Sequence, residues 1–279
     1  MKTALALQLF REYQKSNLRP ASVIGYRYFL DNFEESFGDR DLRLISSEEV
    51  FQFLELVTEK SANSTKRHRY AQLKAFFNFI IANHQSDLKD PLDSPLMRKT
   101  FRHPKPTQRK IVPKEIIDEV IFNSQSLRDR LLLELQSRCG ARIGEVLKIR
   151  VAHVADRKIV IHGPKSGKDV EVVFMPEPVG NRLKDYIEAA GLTEEDRIFD
   201  FSYGTARAII KELGEMAGVK LNPHDLRRHF ATFASRNGVP LEIISKVILR
   251  HQNLKTTQVY LGKGSDSEAI RWMDILHGK

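Results

Sequence analysis

Between residues 98 and 110 the chain reads RKTFRHPKPTQRK, six lysines or arginines and two prolines with no acid. Such a stretch has little to bury, and its prolines resist helix, so it reads as a connection rather than as part of a core. The chain must then fold as two bodies, and 279 residues suit two domains better than one. We expect a helical domain over 1–97, a basic linker over 98–111, a second domain over 112–264 and a terminal helix over 265–279. A net charge of +9 points to a polyanionic partner, either nucleic acid or an anionic membrane surface. No run approaches the roughly 20 apolar residues of a membrane span. The lone Cys139 forbids an internal disulfide and suits a reducing compartment, so a soluble cytoplasmic protein is expected.

Periodicity sketches both halves. In the first, apolar residues recur at helical spacing over residues 2–15, then through Tyr26, Phe29, Leu30 and Phe33 to a stop at Gly38. A third helix starts at Ser46-Ser47-Glu48-Glu49 and a fourth runs from about Ser64 to Asn83. Lys66, Arg67, Arg69 and Lys74 crowd that fourth helix, and Arg102 and Lys105 follow in the basic segment. These cations fit either a solvated face and hinge or a phosphate-tracking surface. In the second half, helices are predicted from Val112 onward and over 127–135, with a short one after Gly140-Ala141 that sets Arg142 and Glu145 on one face. Alternation predicts strands over 158–162 and 170–174, a hairpin with Lys165 and Lys168 at its tip, and two amphipathic helices follow.

The stretch from Asn222 to Tyr260 carries the most chemistry. Asn222 is a candidate N-cap, Pro223 suits the first helical position and Gly238 stands where the helix should stop. His224 and Arg227 share one face of that helix, while Leu226, Phe230 and Phe233 form an apolar stripe. His251 follows a second apolar helix, and Tyr260 comes nine residues later. His224, His229 and His251 could instead be satisfied core histidines; no carboxylate or cysteine stands at ligand spacing, so no metal site is expected.

With GARIGEVL at 140–147 and the hairpin lysines, this order of residues resembles the tyrosine recombinase family over nearly the whole chain. The resemblance implies a mainly α fold: a four-helix core-binding domain, then an α+β catalytic domain with a small antiparallel sheet. It implies that Tyr260 attacks a DNA phosphodiester and becomes linked to the 3′ phosphate, conserving the bond for rejoining. Arg142 and Arg227 would hold the non-bridging oxygens, since a guanidinium stays charged and donates in parallel pairs. Lys165, with Lys168 in the same turn as the alternative, would protonate the leaving 5′ oxygen. His224 would act as base or relay for Tyr260, His251 would donate to the phosphate, and Glu145 would orient its neighbours. No cofactor or metal is implied.

A compact recombinase of the Xer type fits best, acting on double-stranded DNA with inverted half-sites as a tetramer over two sites, with a DNA translocase as a possible accessory. A mobile-element integrase, a nick-and-reseal topoisomerase-like enzyme and a DNA-binding protein with a vestigial site are the alternatives. One departure stands out: Leu249-Arg250-His251 has arginine where the family usually has glycine, which could add a phosphate contact. In the tail, Ile270, Met273 and Leu276 share a helical face. That helix either packs on its own domain or, as the family implies, docks into a neighbouring protomer.

Overall fold

The computed structural model describes residues 1–102, 111–164, 169–251 and 253–261, with Lys255, Val259 and Tyr260 described by their backbone alone. Lys105, Lys165, Lys168 and the tail over 265–279, expected to be helical, lie outside the described residues. The chain divides into two compact units, Met1–Thr107 and Gln108–Lys279.

The first unit is a helical bundle of α1 (Thr3–Asn17), α2 (Pro20–Phe37), α3 (Ser47–Thr58), α4 (Asn63–Asn83) and α5 (Pro95–Thr100). Pro20 opens α2 with its ring already at a helical φ. Ser46 closes a capping box on α3, its Oγ accepting from Glu49 N at 3.2 Å while the Glu49 carboxylate accepts from Ser46 N at 2.9 Å. The apolar stripes meet in a core of buried phenylalanines, including Phe10, Phe29, Phe33, Phe53, Phe76 and Phe77.

The helix α5 lies across the start of the basic segment. Ser94 caps it, Met97 is buried, and the buried Phe101 ring stacks on Tyr70 at 5.3 Å. Residues 98–101 thus pack with the N-terminal unit, where, among the described residues, the short α5 adds to the four expected helices. Apolar anchoring at Met97 and Phe101 outweighs the charge of the residues between them.

The second unit begins with α6 (Lys114–Phe122), α7 (Leu127–Ser137) and the single turn α8 (Ile143–Val146). A three-stranded antiparallel sheet follows, made of β1 (Val154–Ala155), β2 (Lys158–His162) and β3 (Val170–Phe174). The hairpin register pairs Lys158 with Phe174 and His162 with Val170, so Ile159, Ile161, Glu171 and Val173 all face inward. Then come α9 (Glu177–Ala189), α10 (Tyr203–Met216), α11 (Pro223–Arg236), a π-helical turn over Ile243–Ile248 and α12 (Leu254–Leu261). At the centre, α7 packs against α9 and α11, with Leu131, Leu132, Leu133 and Leu135 fully buried. The fold class is the one expected: mostly helix with one small antiparallel sheet. Among the described residues, no helix is long and apolar enough to cross a membrane.

Candidate active site

The site forms where three distant segments meet. The first is the turn between α7 and α8. Gly140 there has φ +66°, and a Cβ on it would approach Phe230 of α11 and Leu249 at 3.0 and 3.1 Å, so glycine is needed both for the turn and for the contact. The second is α11, started as the sequence predicts by Asn222, whose side chain accepts from His224 N at 3.0 Å. The third is the turn after the π-helical segment, where Leu249 N bonds to Ile244 O and His251 N to Ser245 O, each at 2.8 Å. These wide turns turn the Leu249 carbonyl inward.

That carbonyl is the meeting point. Arg227, almost wholly buried, donates from Nη1 to Gly140 O and from Nη2 to Leu249 O. Arg142, partly exposed, donates from Nη2 to the same Leu249 O and to Arg250 O, both at 3.3 Å. Two arginines separated by 85 positions are thus aimed at one point. Glu145 fixes the first of them, accepting from Arg142 N at 3.0 Å and from Nη1 at 2.6 Å. Burial alone would raise the Glu145 pKa, but Arg250 and Arg142 outweigh that and hold it below the usual carboxylate range.

His251 sits beside Arg227. Its Nε2 lies 3.2 Å from Arg227 Nη2, which can only donate, so Nδ1 carries the proton and gives it to Thr257 Oγ1 at 2.8 Å. Burial, then the charges of Arg227, Arg142 and Arg250, push the ring pKa down to about 4. The histidine is therefore neutral near pH 7. Thr257 is buried on α12, one helical turn before position 260, so its hydrogen bond ties α12 to the site.

Of the predicted site residues, the structure brings together Arg142, Arg227 and His251. His224 is exposed on the first turn of α11. Tyr260 falls in the last turn of α12. His229 is a satisfied core histidine, bonded through Nδ1 to Val112 O at 3.0 Å and stacked on Phe233. Among the described residues no group of three or more His, Cys, Asp or Glu could hold a metal.

Arg250 departs from the extra phosphate contact suggested above. Its guanidinium is buried, with Nε 3.0 Å from Glu171 Oε2 and Nη2 2.5 Å from Glu145 Oε2. Glu171 and Thr257 carry no mark in the sequence motif. Alternation could not mark Glu171, because valines stand on both faces of β3 and only the fold turns position 171 inward with Val173.

The proposed DNA-contacting cations of α4 have partners inside their own unit. Lys66 lies 3.9 Å from Glu55, Arg67 covers Tyr70 at 5.2 Å, and Arg69 covers Phe29 while donating to Gly25 O at 3.1 Å. Lys74 pairs with Asp90, and Arg102 is exposed.

Comparison with known proteins places the chain in a family. The profile of the phage integrase family matches residues 109–265. A tyrosine recombinase XerA of Pyrococcus furiosus is 31% identical over 247 residues, 84% of this chain and 81% of that protein. A tyrosine recombinase XerD of Ralstonia nicotianae is 27% identical over 91% of this chain and 88% of its own length. Among solved structures, a lambda integrase dimer bound to a core site superimposes with a TM-score of 0.75 at 16% identity, covering 95% of this chain and 98% of that one.

The mostly helical fold with its small antiparallel sheet and the family match over residues 109–265 define an enzyme of the integrase class. The chain belongs to the phage integrase family and is a tyrosine recombinase of the Xer type.

Proposed function

We propose that this recombinase cuts and rejoins duplex DNA through a 3′-phosphotyrosyl intermediate on Tyr260, and that it resolves chromosome or plasmid dimers. The observation that carries the reading is the convergence of Arg142 and Arg227 on the Leu249 carbonyl, with His251 alongside. Two fixed guanidiniums in a partly buried site stabilise charge on the non-bridging oxygens without having to reorganise as it builds up. Tyr260 Oη attacks phosphorus, His224 takes its proton, and the bond to the 5′ oxygen breaks. Lys165 gives that oxygen its proton, and a 5′ hydroxyl reverses the sequence on a second strand. His251 is neutral in the free protein and holds Arg227 in place; donation to the phosphate would require Nε2 to change role. The N-terminal unit, through the basic residues Lys66, Arg67, Arg69, Lys74, Arg102 and Lys105, would contact the same duplex. Inverted half-sites, a tetramer on two sites and a cytoplasmic location belong to the same proposal.

A suicide substrate that loses its cleaved end tests the chemistry. The wild type should form a protein–DNA adduct that survives denaturation, and Tyr260→Phe should bind DNA without forming one. An adduct in Tyr260→Phe would remove the nucleophile assignment. Lys165→Ala should be slow on ordinary DNA and recover when sulfur replaces the 5′ bridging oxygen, a leaving group that needs no proton. Recovery in Lys168→Ala instead would move that role. Mapping DNA bound in cells decides between purposes: one chromosomal site supports dimer resolution, whereas occupancy at the ends of a mobile element would overturn it.

A further inference from the structure

Two buried carboxylates compete for Arg142. Its Nη1 lies 2.6 Å from Glu145 Oε1 and 3.8 Å from Glu171 Oε2. Glu171 faces inward from β3, is 6% exposed, and its Oε1 finds no partner among the described residues. An inward strand position beside Val173 is ordinarily apolar, and a carboxylate persists there only with a cation buried opposite. Arg250 is that cation. Each nitrogen of its guanidinium is used: Nε on Glu171, Nη2 on Glu145, Nη1 on Ile248 O at 2.8 Å and Val172 O at 3.3 Å. To deliver this side chain the backbone of Arg250 adopts φ +55°, a left-handed conformation that disfavours every residue with a Cβ of this size and suits glycine. A costly backbone is retained for a particular side chain.

We propose that Arg250 is a positioning residue for strand cleavage: it neutralises Glu145 and Glu171, so that Arg142 keeps its positive charge for the scissile phosphodiester. This rests on the reading that Arg142 binds the phosphate. The charge count among the described groups is direct. Arg142, Arg227 and Arg250 face Glu145 and Glu171 with a neutral His251, which leaves one net positive charge. Without Arg250 the same cluster is neutral. Glu171 would then turn wholly to Arg142, only 3.8 Å away, and an incoming phosphate would have to displace a buried carboxylate.

The experiment measures adduct formation on a suicide substrate and, separately, DNA affinity, for wild type, Arg142→Ala, Arg250→Gly, Arg250→Lys and the double variant Arg250→Gly with Glu171→Gln. Arg250→Gly suits the left-handed backbone and removes only the cation. Its cleavage rate should fall about 10- to 100-fold while DNA affinity stays within about twofold. Glu171→Gln in the same chain should restore most of the rate, and Arg250→Lys should retain part of it. A neutral methylphosphonate at the scissile position, which needs less positive charge, should narrow the deficit of Arg250→Gly. Should Arg250→Gly fold poorly, the double variant and Arg250→Lys carry the same comparison, because neither leaves Glu171 as an unpaired buried charge.

Cleavage by Arg250→Gly at the wild-type rate would overturn the proposal, as would a deficit that neither Glu171→Gln nor the methylphosphonate changes. Failure of the underlying reading looks different. Either the wild type would form no adduct, or Arg142→Ala would cleave normally, and in both cases the proposal falls with it.

Discussion

The two units are built from opposite kinds of interior. Among the described residues, the buried polar groups of the N-terminal unit are Thr3, Gln14, Thr58, Gln72 and Gln85, none of them charged, set around a core rich in phenylalanine. Among the described residues every buried charged one, including Glu134, Glu145, Glu171, Arg227 and Arg250, belongs to the second unit. Taking an ion out of water costs several kcal/mol, so the second unit gives up stability that the first keeps. In exchange its charges act where solvent screens them poorly. The difference separates the two bodies: one has an uncharged interior, while the other gives up stability to hold charge in fixed positions.

The comparison breaks most directly at Phe33. This ring is fully buried, with Phe53, Phe76 and Phe77 centroids at 5.3, 6.0 and 6.2 Å. Phe33→Ala should cost the N-terminal unit about 3–5 kcal/mol, read as lost hydrogen-exchange protection in α2 and α4. Protection of α7 and α11 should hardly change, and a loss spread evenly over both units would show that they do not have separate interiors. Next comes Arg227→Lys, which keeps the charge but cannot reach Gly140 O, Leu249 O and His251 together. Adduct formation should fall roughly 10²-fold, with a smaller stability loss than at Phe33. A variant that destabilises strongly and still cleaves would make Arg227 a structural residue.

Local pattern made much of the architecture legible. The strands at 158–162 and 170–174 stand where alternation put them, and α11 runs from Pro223 to a C-cap beside Gly238, which has φ +83°. Residues whose meaning comes from distant partners were not legible. In VEVVF both faces of β3 carry valine, and only Arg250, 79 positions on, makes the face with Glu171 the inward one. Arg250 itself reads as a spare cation until its carboxylates are seen. The helix α5 was hidden for a related reason: its charged residues suggest solvent, whereas Met97 and Phe101 on either side are held by the core.

A smaller effect is expected from the pH dependence of His251. Folding lowers its pKa from 6.5 to about 4, so the unfolded chain takes up its proton first as pH falls. Stability should therefore drop between pH 6.5 and 4 and be unaffected by this group above that window. The contribution is on the order of 1–3 kcal/mol, reduced because the site is partly open to water. His251→Gln, whose amide can accept from Arg227 and donate to Thr257, should flatten the acid limb of unfolding measured in α11. An unchanged slope would assign the acid sensitivity to other groups.

The smallest effect sharpens the comparison, because the first unit holds its own arginine–glutamate pair under opposite conditions. Arg40 Nη1 lies 2.6 Å from Glu49 Oε1, the same separation as Arg142 from Glu145, yet Arg40 and Glu49 are both exposed at about the level where water screens a pair. Glu49 is held well below the usual carboxylate range, at about 2, by Arg40 first and then by the amide and hydroxyl of Ser46. Its structural use is the capping box of α3, in which Ser46 Oγ satisfies one amide that the helix would otherwise leave open. Ser46→Ala should cost about 1 kcal/mol, seen as earlier exchange of the first-turn amides of α3, with no change in cleavage rate. Raising salt should weaken the surface pair at Arg40 far more than the buried one at Arg142. If Ser46→Ala instead slowed cleavage, or salt acted equally on both pairs, burial would not be what distinguishes the two bodies.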